Sequence, residues 1–312
     1  MEIKLVSFIV VVKNGESSIL KCLSSLENQN LENFEVLIVD GKSIDNTVAI
    51  AEKYLRSKNW NFRIIENPKM TLASGWNLAL ESSKSKYVVR PDSHSILEEN
   101  YILNGIKILE KNNNFSAVGG VLKTESQGFI GELISKVLSN PLGVGPSKFR
   151  IGLSCLTETD TVVYGVYRKE LFIKIGGFNE ELKRNQDIEF HKRASDQGVK
   201  MLTSPNMVAT YFSRATIKTF CKQAYSNGFW VGKGHGYLRH FVPLFFISVL
   251  IVLFSINLGL GLLTISIYFI ILLIAYILYS KILNPLRLVV AVLLTFMLHI
   301  LYGLGTLIAK IK

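Results

Sequence analysis

Residues 34–41, "FEVLIVDG", decide the fold. Val36 to Val39 are apolar without interruption, whereas a strand with one wet face would alternate. Such a run, four to eight residues long and rich in β-branched side chains, reads as a parallel strand covered by helices on both faces. It ends abruptly in Asp40 and Gly41, a carboxylate and a turn residue at the carboxyl end of the strand.

The flanking sequence repeats this unit. "LVSFIVVVK" upstream reads as a strand, and residues 16–28 as a helix with Ile19, Leu20, Leu23 and Leu26 on one face. Downstream, a helix from about Asp45 to Ser57, capped by Ser43 or Asp45, precedes the strand "FRIIEN". A helix over 71–82, the strand "KYVVRPD", a helix over about 97–111 and the strand "FSAVGGVLK" follow. Strand–helix alternation at this spacing predicts an α/β fold with a Rossmann-like, mostly parallel sheet. Ligands of such sheets bind beyond the carboxyl ends of the strands. Val12-Lys13-Asn14, Asp40-Gly41 and Asp92-Ser93-His94 all occupy such ends. The alternation stops near 123. Residues 124–160 are rich in Gly, Ser and Pro, with a short helix expected around 130–138, before "TVVYGVYR" resumes as a strand.

Charge divides the chain sharply. Of 35 basic and 24 acidic residues, no acid lies beyond Asp196, so the first 196 residues carry about +1 and the remaining +10 of the net +11 belongs to the C-terminal part. That excludes a nucleic-acid-binding N-terminal region. Residues 241–279 carry no charged side chain over 39 positions. As one helix they would be roughly 58 Å long, about twice a bilayer's hydrocarbon core. Asn257-Leu258-Gly259-Leu260-Gly261 offers a turn, so two spans, 241–257 and 261–279, are expected, with a third over 286–308. The domains expected are therefore 1–235 and a membrane domain, 236–312. Lys233, Arg239, Lys281 and Arg287 fall on one side of such a hairpin, which places the first domain in the cytoplasm of a multi-pass protein of the cell membrane; Lys310 and Lys312 argue the other way. The apolar run Leu5–Val12 is too short for a secretory signal. Cys22, Cys155 and Cys221 form no C-x-x-C pair, which suggests reduced thiols and no zinc site.

Two polar clusters carry chemistry. If the strand stays extended, Asp92 and His94 project to one face and can grip a divalent ion, Mg²⁺ or, with an imidazole in the shell, Mn²⁺. The bland alternative is a strand-end Asp beside a surface His. In "NQDIEFHKR", Asp187 and Glu189 open a helix, where the macrodipole favours acids; one of them can equally serve as a general base toward a hydroxyl.

Taken together, "FIVVVKNGE", "LIVDGKSIDNT", Asp92-Ser93-His94, "GGFNEEL" and "NQDIEFHKR" resemble the family 2 glycosyltransferases of GT-A fold, and within them the membrane-attached group typified by a succinoglycan glucosyltransferase. The resemblance covers about residues 3–235. It implies that Val12, Asn14 and Glu16 lie in the loop holding the nucleotide, that Asp40 lies near the nucleobase, and that Asp92 and His94 hold ribose and metal. It makes Asp187 the catalytic base, and gives Glu189, Arg193, Arg214, Gln223 and Trp230 acceptor or closure roles. This chain departs from the family pattern in having Gly41 after Asp40, Gln186 before Asp187, and no strict Gln-x-x-Arg-Trp.

The implied reaction is inverting transfer of a sugar from a nucleoside diphosphate, a UDP-sugar above all, to a hydroxyl of a polyprenyl-diphosphate-linked saccharide in exopolysaccharide or capsule assembly. The implied partners are the donor, the lipid-linked acceptor and the membrane. The alternatives are a polyprenyl-phosphate glycosyltransferase, a sugar-nucleotide nucleotidyltransferase and a non-catalytic membrane scaffold. "VVVKNGESS", with one Gly, makes a poor nucleotidyltransferase loop.

Overall fold

The computed structural model describes residues 6–234 and 236–311. Leu5 of the expected first strand, residue 235 at the expected boundary, and Lys312 lie outside them. Strand β1 (Val6–Val12) leads through α1 (Ile19–Ser25) to β2 (Phe34–Asp40), α2 (Thr47–Ser57), β3 (Phe62–Glu66), α3 (Leu72–Ser82) and β4 (Tyr87–Val89). Then come β5 (Ser95–Leu97), α4 (Tyr101–Lys111), β6 (Phe115–Glu125), α5 (Gly128–Val137), α6 (Pro141–Val144), α7 (Lys148–Ile151), β7 (Thr157–Thr159) and β8 (Val166–Arg168). The chain continues with α8 (Glu170–Ile175), α9 (Gln186–Asp196), β9 (Lys200–Phe212), α10 (Ile217–Lys233), α11 (Val242–Ile256), α12 (Leu258–Leu278) and α13 (Pro285–Ile311).

Among the described residues the sheet has nine strands in the order β3-β2-β1-β4-β8-β6-β9-β5, with β7 also on β9. The α/β class holds, and the sheet is mixed. β1, β2, β3 and β4 pair in parallel, while β8 lies antiparallel to both β4 and β6, and β5 and β7 lie antiparallel to β9. The parallel half is what strand–helix alternation forces; beyond β6 the alternation ends, and strands return without a crossover. The sequence does not predict strand β5: the helix expected from about 97 begins at Tyr101, and Ser95–Leu97 pair with Ala209–Tyr211. In the parallel half, Val12 stands opposite Asp40 and Asp40 opposite Glu66, so these strands end level. Ile9, Leu37, Val39, Trp76, Val88, Tyr167 and Phe190 fill the core beneath.

Hydropathy drew the expected boundary at 235, but packing divides the chain elsewhere. One unit runs to Lys123 and resumes over Gly152–Tyr211; the other comprises Thr124–Ile151 and the chain from Phe212 onward. The reason lies in α10, whose buried face (Phe220, Ala224, Gly228, Val231, Gly232) docks on α13. At Gly228 an added Cβ would come within 1.9 Å of Tyr302 O, and at Gly305 within 2.3 Å of Tyr225 O, so the two helix backbones nearly touch.

In the second unit three helical segments, Leu238–Ile256, Leu258–Leu278 and Pro285–Ile311, are long and apolar enough to cross a membrane. Large apolar side chains stand exposed along them, as a lipid-facing surface requires. The turn between the first two is tighter than expected. Asn257 alone makes it, its N–H bonding Leu253 O and its side chain accepting from Leu260 N at 3.1 Å. Gly259 and Gly261 lie inside α12, and Gly261 lets the ring of Phe254 approach.

Candidate active site

The first unit gathers most of the expected site at the carboxyl ends of its parallel strands. After β1, Asn14 adopts a left-handed backbone (φ 51°) and its side chain accepts from Ile44 N at 3.0 Å. Asn14 N donates to Ser43 Oγ (2.8 Å) and Gly15 N to Thr47 Oγ1 (2.8 Å). The carboxylate of Glu16 accepts from the backbone and side-chain nitrogens of Asn46, at 3.1 and 2.9 Å. Val12 O accepts from Gly41 N. The loops after β1 and β2 are therefore stitched into one rigid lip. Asp40 Oδ2 accepts from Ser43 N at 3.0 Å, but Oδ1 is shielded from solvent and has no hydrogen-bond partner. A buried acceptor left unmade is costly and calls for an explanation; a donor on a bound ligand supplies one.

After β4 the backbone does not stay extended. Ser95 donates to Asp92 O through both N (2.9 Å) and Oγ (2.8 Å), closing a turn at Ser93 and His94. The extended geometry expected to carry Asp92 and His94 to one face is thus corrected: a turn relates them, with His94 exposed and its ring 6.2 Å from that of Tyr211. Neither the Asp92 carboxylate nor the His94 imidazole is tied up in a hydrogen bond within the described residues. Among those residues no group of three or more His, Cys, Asp or Glu side chains converges as a metal cage. An oxygen and an imidazole that are both unengaged fit a hard divalent ion that takes its remaining ligands from water and phosphate.

The residue that joins the two clusters was not assigned from the sequence. Arg90, 7% exposed, lies over the ring of Trp76 (5.3 Å), and its Nη2 is 3.6 Å from Asp187 Oδ2. Burial disfavours its charge, and the carboxylates of Asp92 and Asp187 more than restore it. Asp187 therefore contacts the guanidinium directly, and Asp92 acts on it through its charge. Asp187 sits in the first turn of α9 and accepts from Ile188 N at 3.0 Å. Burial works to raise its pKa, but the Arg90 guanidinium, helped by the Ile188 backbone N–H, outweighs this and holds the carboxyl below its ordinary range. His191 is fully buried, bonded to Thr161 Oγ1 and the Tyr167 hydroxyl at 2.9 Å each, and burial pushes its imidazole down to about 4. It is a neutral brace beneath the acid. The only sequence signal for Arg90 was a cation abutting a three-residue buried strand.

Glu189 and Arg193 are engaged with each other. Arg193 forks onto the carboxylate at 2.8 and 3.1 Å and also donates to Ile175 O and Gly177 O. This pair ties α9 to the loop after α8. Arg214, exposed, and Gln223 and Trp230, on α10, belong to the second unit and are not among the residues that the first unit assembles.

A family model, "Glycosyl transferase family 2", matches residues 7–176. The chain is 29% identical over 259 residues, 79% of its length and 80% of the relative's, to the dolichyl N-acetyl-α-D-glucosaminyl phosphate 3-β-D-2,3-diacetamido-2,3-dideoxy-β-D-glucuronosyltransferase of Methanococcus voltae. It is 25% identical, over 75% of this chain and 71% of the other, to the succinoglycan biosynthesis protein ExoA of Rhizobium meliloti. Among solved structures, TarS 1–349 of S. aureus in complex with UDP-GlcNAc superimposes with a TM-score of 0.51 at 17% identity, covering 76% of this chain and 69% of that one, a likeness of fold.

Proposed function

Since the chain belongs to the family 2 glycosyltransferases, enzymes that act on nucleotide sugars, we propose that it transfers one sugar, with inversion, from a UDP-sugar to a hydroxyl of a polyprenyl-linked saccharide. The observation that carries this reading is the buried Arg90 guanidinium, 3.6 Å from the Asp187 carboxylate and within the electrostatic reach of Asp92, at the carboxyl edge of the parallel strands. A donor-binding acid and a base acid flank one cation, where a diphosphate and an attacking alcohol must meet.

In this reading the stitched lip of Val12, Asn14 and Glu16 seats the nucleotide. The orphaned Asp40 Oδ1 accepts from a base N–H. Asp92 and His94 would hold a divalent metal, Mn²⁺ or Mg²⁺, which would supply positive charge toward the diphosphate. Asp187, ionised at neutral pH, takes the proton of the acceptor hydroxyl. The hydroxyl oxygen bonds to the anomeric carbon from the face opposite the leaving group, the bond to the diphosphate breaks, and the nucleoside diphosphate departs. One displacement inverts the centre. Arg90 keeps Asp187 charged and aimed, and His191 supports it from below. Arg214, Gln223 and Trp230 are proposed on the acceptor side, and Glu189 and Arg193 fix the loop after α8.

Three helices able to cross a bilayer support a lipid-borne acceptor, as does the relative whose name describes transfer to a dolichyl-phosphate-linked sugar. The basic residues flanking the spans favour a cytoplasmic catalytic unit, and exopolysaccharide or capsule assembly is the setting that suits such an acceptor. The test is incubation of membranes holding the protein with radiolabelled UDP- and GDP-sugars, with or without Mn²⁺. The acceptors offered are polyprenyl-diphosphate saccharide, polyprenyl-phosphate saccharide and bare polyprenyl phosphate. An inverted glycosidic product on a lipid-linked saccharide is expected. Label appearing only on bare polyprenyl phosphate, or on no lipid, overturns the proposal.

A further inference from the structure

Within the second unit, α5, the residues just before it and the α12–α13 connection line an open cavity of about 610 Å³. Its size suits a small polar ligand. Three cations line it, Lys136 from α5, Lys281 from the connection and Arg287 from the first turn of α13, together with the carboxylates of Glu125 and Glu132, so the wall keeps a net positive charge. Arg287 Nη1 pairs with Glu132 Oε2 at 3.1 Å and lies over the Phe129 ring, which fixes α13 to α5. Lys136 and Lys281 form no ion pair among the described residues, so their charges stand available in the wall. The Thr124 hydroxyl in the same wall is shielded from solvent and has no hydrogen-bond partner. Asn284 caps α13, its side chain accepting from Arg287 N at 3.1 Å, so the positive end of a 27-residue helix opens here. Beside the cavity the chain turns apolar at once: Tyr279, Leu283 and Leu286 are 69%, 78% and 65% exposed. They lie where two membrane-length helices end. A hydroxyl-lined hollow of net positive charge with a greasy margin fits an amphiphile whose head carries phosphate and whose chain lies along α12 and α13.

We propose that this cavity binds the phosphate-bearing head of the lipid-linked acceptor. The assignment rests on the glycosyltransferase reading above and adds to it a binding site in the second unit. Lysines from α5 and from the α12–α13 connection close on the phosphate from two sides, the Thr124 hydroxyl donates a further hydrogen bond, and the lipid chain leaves over Leu283 and Leu286.

The full chain in nanodiscs of zwitterionic lipid is titrated with polyprenyl diphosphate, and the K136Q/K281Q double variant is compared with it. Loss of two charge-assisted contacts should weaken binding by about tenfold or more. The acceptor KM should rise to match, with nucleotide affinity and Tm unchanged. Unaltered binding in the double variant overturns the site, as does displacement of the probe by equimolar phosphatidylglycerol or by inorganic diphosphate. A photoreactive polyprenyl diphosphate provides a second readout on the unaltered protein. It should label residues 124–136 or 280–287, and labelling confined elsewhere refutes the proposal. Binding is read without turnover, so the two ideas fail separately. A protein that holds the lipid through these lysines yet transfers no sugar refutes the proposed reaction alone. Transfer that continues in the variant with an unchanged acceptor KM refutes the cavity alone.

Discussion

An arginine with 7% of its surface exposed needs counter-charge, and Arg90 draws it from two acids that the chain separates by nearly a hundred residues. Asp187→Asn keeps the shape and removes the proton acceptor; transfer should fall by about 10²–10⁴-fold with nucleotide binding retained. Near-normal turnover in that variant would remove Asp187 from the mechanism. Arg90→Gln releases the carboxyl from the cation that depresses it, so the pKa of Asp187 rises. The acid limb of the kcat/KM profile should then move to higher pH, with Arg90→Lys restoring part of the shift; a limb that stays in place argues that Arg90 does not govern the base. His191 supplies a stability prediction with its own sign. Its folded pKa, about 4, lies below the ordinary 6.5, so the unfolded chain binds the extra proton between these values. Its contribution is complete above about pH 6.5 and is lost as pH falls toward 4. Melting of wild type and His191→Gln at pH 7 and pH 5 should show the smaller drop in the variant, and equal drops would mean that His191 does not titrate in this way.

At the scale of elements, two helix contacts depend on single residues. Asn257 ends α11 and caps α12, so Asn257→Ala should cost about 1 kcal/mol, the ordinary worth of such a cap. The α10–α13 contact is less forgiving. Gly228→Ala gains helix propensity but drives a methyl into Tyr302 O, and overpacking costs about 1–3 kcal/mol. A lowered Tm is expected; an unchanged or raised one would show that the two backbones can separate freely. The same contact shows why α10 was read as part of the catalytic domain. Its sequence is amphipathic with polar residues interspersed, and nothing in a period of 3.6 says whether the apolar face meets a sheet or another helix.

For the molecule as a whole, the division at Thr124–Ile151 and Phe212 has a direct consequence. Truncation at residue 235, where hydropathy suggests a soluble domain, strips α13 from α10 and α5 and bares Phe220, Ala224, Val231 and Leu133. Such a fragment should aggregate or sediment with membranes. A monodisperse soluble monomer in gel filtration would mean that the packing boundary is not a folding boundary. The parallel half of the sheet, the three apolar helices, the places of Asp40 and Asp92 after strands and of Asp187 at the start of a helix were legible because each depends on local periodicity or on a residue type at the end of an element. The antiparallel half, β5 and the turn at Ser93–His94 were not, since short strands take their state from partners distant in sequence. Arg90 is the clearest case. Its role arises from burial between two acids brought together by the fold, and the free energy of a buried charge is set by whatever surrounds it in space, which adjacency along the chain does not specify.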